Sequence, residues 1–305
     1  PHPAGWNAEK EASPVELFLG GTGFRYLLGN GRVLIREPGA CRDYLLTGNK
    51  VIMAAGVPVG DDLFQPARIA RELLALAHVR EGAVRLHGGA VEINGRGVLI
   101  LGERGSGKTT LVAHLAQHGG FCANDRLLVR AEPGRGALAV LGLPISVRIG
   151  LGTAAAHPRL APLSRGGRRP LALPQRATDD KIEVTPGEFA ELLGVRLTPI
   201  TRPAAVLVAS LGHTRRSPRL TPLDGHDRLK VLASGLLMPD PAFPYCFAPP
   251  PDGPPPMNLP VTAALMDLPW YMLTGYLADT DLVPLVLEGV LDQTRRYRRR
   301  GTDDR

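Results

Sequence analysis

The most informative stretch of this sequence is Val98-Leu99-Ile100-Leu101-Gly102-Glu103-Arg104-Gly105-Ser106-Gly107-Lys108-Thr109. Its last eight residues match the pattern G-x-x-x-x-G-K-[ST] at every fixed position. The four apolar residues before them predict a strand, and the residues from Lys108 to His118 predict a helix that stops at Gly119-Gly120. A strand, a glycine-rich loop and a helix in this order form the context in which the pattern binds phosphate groups.

The residue types of this motif suit a nucleoside triphosphate. Its glycines let backbone N–H groups turn inward around phosphates, and the N-terminus of the following helix favours negative charge. Lys108 would reach the β- and γ-phosphates, and the Thr109 hydroxyl would ligate Mg²⁺. The residues expected to bind the nucleotide are Gly102, Glu103, Arg104, Gly105, Ser106, Gly107, Lys108, Thr109 and Thr110.

An acidic residue follows the motif at a useful spacing. Asp125 lies 17 residues beyond Lys108, after the apolar run Phe121-Cys122-Ala123. One helix and one turn separate them, so a strand at 121–123 would bring Asp125 beside the phosphates. Mg²⁺ needs a carboxylate, and phosphoryl transfer to an alcohol needs a base. The alternative is a plain turn residue, because Asn-Asp is also good turn chemistry.

The stretch Leu86–Arg130 resembles the catalytic core of the HPr kinase/phosphorylase family. The resemblance is carried by His87-Gly88, a small-residue strand, a turn at Asn94-Gly95, the motif, and the turn at Asn124-Asp125. A looser likeness extends to Ser146–Gly152, where an arginine precedes a glycine-rich turn. The resemblance implies an α/β fold in which a P-loop core adjoins a mostly β sheet, after a small β-rich N-terminal segment. It also implies ATP as the nucleotide and a homo-oligomer.

The resemblance also implies roles for single residues. Lys108 and the loop amides would bind phosphates, and Thr109 would bind Mg²⁺. Asp125 would be the base that takes the proton of the acceptor hydroxyl, or the carboxylate that holds Mg²⁺. His87 would lie near the γ-phosphate and hold the acidic pair, and Arg148 would contact the phosphate in transfer.

This sequence departs from the family at the acidic pair. The family has two adjacent aspartates, whereas this chain has Asn124, Asp125 and Arg126 in a row. Either Asn124 replaces the first aspartate or Arg126 replaces the second, and Asp125 is the only acid at the turn in both alignments. The departure puts the family's reverse, phosphorylase activity in doubt and allows a changed acceptor. Divergent relatives phosphorylate Ser or Thr of ribosomal precursor peptides in natural-product pathways, so we expect a peptide or protein acceptor.

Other classes of P-loop protein have sequence features that can be compared with those of this chain. Small-molecule kinases of the shikimate or gluconate type place an acid at a similar distance, but they usually begin with the P-loop strand. An ABC-type ATPase needs a signature loop and a downstream Asp-Glu, and a GTPase needs Asn-Lys-x-Asp; the sequence has neither set. A small-molecule alcohol kinase and a degenerate, nucleotide-dependent peptide-binding protein stay open as alternatives.

The chain is expected to divide into two parts. Residues 1–80 form a β-rich N-terminal segment that ends in a helix over Gln65–Val79, and residues 81–305 form the P-loop kinase domain. The second part contains a long loop at 158–182, rich in Pro, Arg and Gly, and a proline-dense irregular segment at Pro239–Pro260. A C-terminal helix is expected from Leu282 to about Tyr297.

The composition limits which binding partners and which cellular compartment we expect for this chain. The net charge is +7 and the isoelectric point about 9.7, but much of the charge is local, in clusters at 165–169 and 295–300. These clusters are either contacts for an acidic partner or solvated surface; Tyr297 is the one aromatic residue within them, which is not the aromatic interleaving that a stacking platform needs, so nucleic acid is not expected. No apolar run is long enough for a membrane span, and no signal pattern opens the chain. Three distant cysteines favour a reducing compartment, so we expect a cytoplasmic protein.

Overall fold

The computed structural model describes residues 12–16, 22–38, 42–47, 50–55, 65–132, 134, 136–164, 181–212, 214–237, 258–276 and 281–291. The chain forms two compact units. One unit comprises Pro1–Arg80 and Met238–Pro256, and the other comprises Glu81–Leu237 and Met257–Arg305. The two arginine clusters of the sequence, at 165–169 and 295–300, lie outside the described residues.

The first unit contains a five-stranded antiparallel sheet in the order β1-β2-β3-β4-β5. Its strands are β1 (Ser13–Glu16), β2 (Thr22–Leu27), β3 (Val33–Glu37), β4 (Arg42–Thr47) and β5 (Lys50–Ala55), and α1 (Gln65–Arg80) follows them. Ile35, Tyr44 and Ile69 form its buried cluster. In this unit the strands precede the helix along the chain.

The second unit is built around a seven-stranded sheet. In chain order its strands are β7 (Gly89–Ile93), β8 (Arg96–Leu101), β9 (Gly119–Ala123), β14 (Arg196–Leu197), β16 (Pro203–Gly212), β17 (Arg219–Pro222) and β18 (Trp270–Tyr276). Across the sheet the order is β14-β9-β7-β8-β16-β18-β17. Strands β8, β16 and β18 are parallel neighbours, so their C-terminal ends lie at one edge of the sheet.

Two smaller sheets belong to the same unit. A four-stranded sheet has the order β15-β11-β10-β6, and a two-stranded sheet joins β12 to β13. Their strands are β6 (Val84–His87), β10 (Arg126–Ala131), β11 (Leu138–Gly142), β12 (Val147–Gly150), β13 (Lys181–Val184) and β15 (Ile200–Thr201). The mixed α/β architecture with several sheets is therefore confirmed at this level.

The helices of the second unit are mostly short. They are α2 (Lys108–Ala116), α3 (Leu151–Ala156), α4 (Ala161–Ser164), α5 (Pro186–Leu193), α6 (Gly225–Gly235), α7 (Leu259–Met266) and α8 (Leu282–Val286). A π-helical turn, Leu287–Leu291, continues α8. No helix in the described ranges is long and apolar enough to cross a membrane.

Strand β8 is buried on both of its faces. Val98 and Ile100 join a cluster that includes Leu111 of α2, whereas Leu99 and Leu101 join a second cluster on the other face. Successive side chains of a strand point to opposite faces, so a continuous apolar run such as 98–101 suits a strand covered on both sides. The burial fixes β8 and, with it, the point from which the glycine-rich loop starts.

The prediction that Pro239–Pro260 is irregular is wrong at its C-terminal end, because α7 begins at Leu259. Asn258 caps this helix by accepting a hydrogen bond from the Val261 amide at 3.2 Å, and Pro260 occupies its first turn. Proline is tolerated there, where its missing N–H would have had no helical partner. The loop expected at 158–182 likewise contains α4, and β13 begins at Lys181; residues 165–180 are outside the described part.

Candidate functional site

The loop Gly102–Gly107, called the motif loop below, joins the end of β8 to the start of α2. Its glycines have positive φ: 138° at Gly102, 84° at Gly105 and 89° at Gly107. A side chain at Gly102 would also meet a neighbour, because a Cβ there would lie 2.6 Å from the Ala209 carbonyl oxygen. Gly102 therefore has to be glycine both for its backbone conformation and for lack of space. The loop is left with backbone groups that no side chain covers at its glycines.

The N-terminus of α2 has no side-chain cap. Its N-cap residue is Gly107, in the left-handed region, which has no side chain to bond to the first amides of the helix. The Lys108 ammonium donates to the carbonyl oxygens of Gly102 at 2.8 Å and Glu103 at 2.7 Å, so it lies over the motif loop. Burial lowers the pKa of Lys108, while Asp125 and Glu103 act in the opposite direction. An uncapped helix start beside a lysine is a site for an anion.

Asp125 occupies the turn between β9 and β10. Its φ is 75°, in the left-handed region, and its carbonyl oxygen accepts a hydrogen bond from the Gly88 amide at 3.1 Å. Aspartate and asparagine tolerate this conformation better than other residues with a Cβ. Asn124, the residue before it, is buried. The turn expected from Asn-Asp is present, and its side chains also line a pocket.

His87 and Arg126 lie on either side of the Asp125 carboxylate. Asp125 Oδ1 is 3.5 Å from His87 Nδ1, and Asp125 Oδ2 is 3.5 Å from Arg126 Nε. The pairing of β6 with β10 places His87 opposite Arg126 and so fixes this arrangement. Burial, and then the charge of Lys108, lower the pKa of His87, with Asp125 opposing them. The lowered pKa favours the neutral imidazole, which has one N–H to donate.

These groups surround a cavity of about 730 Å³. The expected site residues that line it are His87, Arg104, Gly105, Gly107, Lys108, Thr109, Thr110, Asp125 and Arg148. Gly102, Glu103 and Ser106 are not part of its lining. The Ser106 carbonyl oxygen instead accepts a hydrogen bond from the Leu211 amide of β16 at 3.0 Å, which ties the motif loop to the neighbouring strand.

Strands β12 and β13 contribute two cations to the pocket. Arg148 of β12 lines it and also bonds to Glu183 of β13, with 3.1 Å between Arg148 Nε and Glu183 Oε1. Lys181 of β13 lines it as well. Lys181, together with Thr153 and Tyr276, was missed by the sequence analysis. Lys181 fell at the end of an expected loop, and Tyr276 ends a strand that was not expected.

The charges around the cavity are strongly unequal. Among the described residues that line it, four are lysine or arginine, namely Arg104, Lys108, Arg148 and Lys181. Asp125 is the one acidic residue in that lining. A cleft with mostly one sign of charge concentrates ligands of the opposite sign, so this pocket suits a polyanion.

Helix α3 forms a wall of the pocket and is held against α2 by polar contacts. Thr110 Oγ1 and Thr153 Oγ1 are 2.9 Å apart, and the rings of His114 and His157 have centroids 4.8 Å apart. Gln117 Nε2 also lies 2.9 Å from His157 Nε2. His157 follows α3 and is fully buried. This line of contacts fixes the wall that carries Thr153 relative to the helix that carries Lys108.

Comparison with known proteins found similarity in structure but none in sequence. No protein-family model matches the chain, and no curated protein matches it. Among solved structures, the chain is similar to the Hpr(Ser) kinase/phosphatase from Coxiella burnetii, at 10% sequence identity and a TM-score of 0.33. The match covers 70% of this chain and 98% of that one. At these values, function has to be argued from the site itself.

Proposed function

We propose that this chain is an ATP- and Mg²⁺-dependent kinase that transfers the γ-phosphate to a Ser or Thr hydroxyl of a peptide or protein. One observation carries the proposal. A single pocket holds the uncapped start of α2 with Lys108 and, on another wall, the Asp125 carboxylate beside His87. A phosphate-binding helix start and a carboxylate in one cavity are the two groups that phosphoryl transfer to a hydroxyl needs.

The triphosphate would bind at the motif loop. Its backbone amides and the first turn of α2 would face the negative charge of the phosphates, and Lys108 is already held over the loop by two carbonyl oxygens. A bound phosphate oxygen is a stronger acceptor for an ammonium than a neutral carbonyl, so we expect Lys108 to exchange these bonds for phosphate contacts. Arg104 lines the same part of the cavity and adds positive charge.

Thr109 would bind Mg²⁺ through its hydroxyl oxygen, a hard ligand of the kind that this ion prefers, and Asp125, the proposed base, would add negative charge near it. Both residues line the cavity. Mg²⁺, when bound, supplies positive charge at the phosphate oxygens. The donor set present in the pocket therefore fits the ion that the motif implies.

Asp125 is the group to which the acceptor proton would go, because no other described residue of the lining is acidic. The acceptor oxygen attacks the γ-phosphorus, the bond from that phosphorus to the bridging oxygen of ADP breaks, and the hydroxyl proton passes to Asp125. His87 and Arg126 lie on either side of the carboxylate and orient it. Arg148 would face the charge that develops on the phosphoryl group.

A macromolecular acceptor is favoured by the accessibility of the reacting end. The side chain of Asp125 is 42% exposed and that of Arg148 is 43% exposed. A pocket built for a small alcohol encloses its ligand more completely. A base that stays open to solvent can instead receive a hydroxyl presented by a larger molecule.

Phosphate transfer to peptides tests the proposal directly. The purified protein is incubated with ATP and Mg²⁺ and with Ser- or Thr-centred peptides whose flanks are acidic, basic or neutral, and the peptides are weighed by mass spectrometry. We expect a gain of one phosphate that is absent in Lys108→Ala and retained in Arg202→Ala. Arg202 is an exposed arginine near the opposite end of β8, where its carbonyl oxygen accepts from the Gly97 amide. Transfer to small alcohols alone, or ATP binding without any transfer, would replace the proposal by one of its two alternatives.

A further inference from the structure

The C-terminal edge of the seven-stranded sheet continues beyond the pocket. Strands β16 and β18 end side by side, since Gly212 pairs with Tyr276 in parallel register. Tyr276 lines the cavity, and the Leu211 amide bonds to the motif loop at Ser106. Whatever leaves the end of β16 therefore starts beside the nucleotide site.

The segment that leaves β16 is basic. Residues 214–219 lead into β17, which runs antiparallel to β18 with Arg219 opposite Thr274. Pro218 packs against Gly275, the residue before Tyr276, because a Cβ on Gly275 would lie 3.2 Å from Pro218 Cα. Arg215, Arg216 and Arg219, called the basic connection below, are all exposed.

The three arginines have no acidic partner in the described part of the chain. No ion pair there includes Arg215, Arg216 or Arg219, although Arg36, Arg42, Arg148, Arg196 and Arg202 each pair with a carboxylate. The basic connection thus adds positive charge, not compensated by any carboxylate of the described residues, to an edge whose pocket already has an excess of cations.

We propose that the basic connection binds an acidic stretch of the acceptor, next to the Ser or Thr that enters the pocket. The inference rests on the proposed function for the identity of the reaction, and it names the class of acceptor: a peptide or protein segment rich in Asp and Glu. Guanidinium groups bind carboxylates through paired, charge-assisted hydrogen bonds. Their position at the same edge as Tyr276 places such a segment beside the reacting hydroxyl.

A nucleic acid is the other polyanion that arginines bind, and the segment is poorly suited to it. Residues 214–219 read Thr-Arg-Arg-Ser-Pro-Arg, without an aromatic side chain. Proteins that bind single strands combine basic grooves with aromatic platforms for the bases, each of which adds substantially to affinity. The chemistry of the basic connection therefore favours carboxylates on a peptide.

Direct binding tests the proposal without relying on catalysis. Fluorescence anisotropy measures the affinity of the full chain for a labelled peptide in which glutamates flank one serine, and for its glutamine counterpart. We expect the acidic peptide to bind about tenfold more tightly at low salt, because each exposed charge pair contributes modestly, and the advantage should shrink as salt rises. Changing Arg215, Arg216 and Arg219 together to Gln should remove it, whereas Arg202→Gln, which removes one exposed arginine elsewhere, should not.

Reversing the three charges of the basic connection gives a sharper form of this binding test. The variant with Arg215→Glu, Arg216→Glu and Arg219→Glu should prefer a peptide in which lysines replace the glutamates. Equal affinities of the wild-type chain for the acidic and neutral peptides would overturn the proposal, as would a single-stranded oligonucleotide that binds the basic connection more tightly than the acidic peptide.

If acidic peptides bind as expected but gain no phosphate, the docking surface stands and the proposed kinase activity is wrong. If neutral peptides are phosphorylated as fast as acidic ones and bind equally, the activity stands and the docking surface is wrong.

Discussion

At the scale of single residues, Asp125 combines several features of a working carboxylate. It is the acidic group among the described residues that line the pocket, it has a left-handed backbone, and it lies 3.5 Å from both a histidine and an arginine nitrogen. Asparagine keeps the shape and the turn preference but cannot take a proton. We expect Asp125→Asn to lower kcat by a factor of about 10² to 10⁴ with a small change in the KM for ATP. Initial-rate kinetics with a phosphorylated peptide product measure this.

Arg126→Gln is the matched control for Asp125→Asn. It removes the charge on the other side of the carboxylate but leaves the proton acceptor in place, so we expect a smaller loss of kcat. Unchanged kcat in Asp125→Asn would remove Asp125 as the base. Equal losses in the two variants would mean that the turn, and not the carboxylate, is what both changes damage.

His157 gives a pH-dependent prediction at the same scale. Burial, and then the positive charge of His114, lower its pKa from 6.5 to about 4, with Arg159 acting in the same direction. The folded state therefore binds fewer protons than the unfolded state between these values, so stability rises with pH in this window and is lost as pH falls from about 6.5 to about 4. The free energy of unfolding should fall by up to about 3 kcal/mol through this residue.

Urea unfolding of His157→Gln at a series of pH values isolates this contribution. Glutamine can keep a polar contact with Gln117 but does not titrate, so the variant's stability curve should be flatter than the wild-type curve below pH 6.5. We expect the variant to be less stable at pH 7, because it repacks a fully buried site beside α2. Two parallel curves would show that His157 is protonated equally in the folded and unfolded states.

At the scale of elements, helix α5 shows a local sequence signal that the structure uses. Thr185 and Glu188 form a capping box: the Glu188 amide donates to Thr185 Oγ1 at 3.2 Å, and the Thr185 amide donates to Glu188 Oε2 at 2.7 Å. The helix then buries Phe189, whose ring meets that of Phe121 edge to face at 5.0 Å. We expect Thr185→Ala to cost about 1 kcal/mol in the free energy of unfolding, measured with urea.

A control for the cap is Ser217→Ala, which changes an exposed hydroxyl outside any helix. Its effect should stay within about 0.5 kcal/mol. A loss in Thr185→Ala no larger than that in Ser217→Ala would mean that α5 is held by packing around Phe189 alone. The comparison separates the local hydrogen bonds of the helix start from the tertiary contacts of its buried face.

Elements with strong local signals were predictable, and elements made by distant pairing were not. Asn94 and Gly95 have φ of 51° and 73°, as a two-residue hairpin turn requires, so the β7–β8 pair could be inferred from Asn-Gly alone. Strand β18 was missed because Trp270–Tyr276 lacks a regular alternation. It becomes a strand through parallel pairing with β16, more than sixty residues earlier in the chain.

At the scale of the whole molecule, the same distinction applies to the pocket. Lys108 and Thr109 could be assigned from one contiguous motif, and Asp125 from the short helix and turn that separate it from them. Thr153, Lys181 and Tyr276 come from three other elements that the fold brings to the same cavity. Lys181 reaches it because β13 pairs with β12, where Gly150 lies opposite Lys181. No local pattern in the sequence marks a residue whose role depends on such a pairing.

Because those walls come from separate elements, a nucleotide in the cavity should stabilise the whole second unit. A ligand at about one hundred times its Kd adds about 2.7 kcal/mol to the folded state, which raises the Tm of a unit of this size by about 5 to 10 °C. We therefore expect ATP with Mg²⁺ to raise the Tm of the wild-type chain in differential scanning fluorimetry, and to leave the Tm of Lys108→Ala nearly unchanged. Arg202→Ala, at the opposite end of β8, should respond like the wild type. An equal rise in Lys108→Ala would place the nucleotide away from the motif loop, and with it the proposed transfer site.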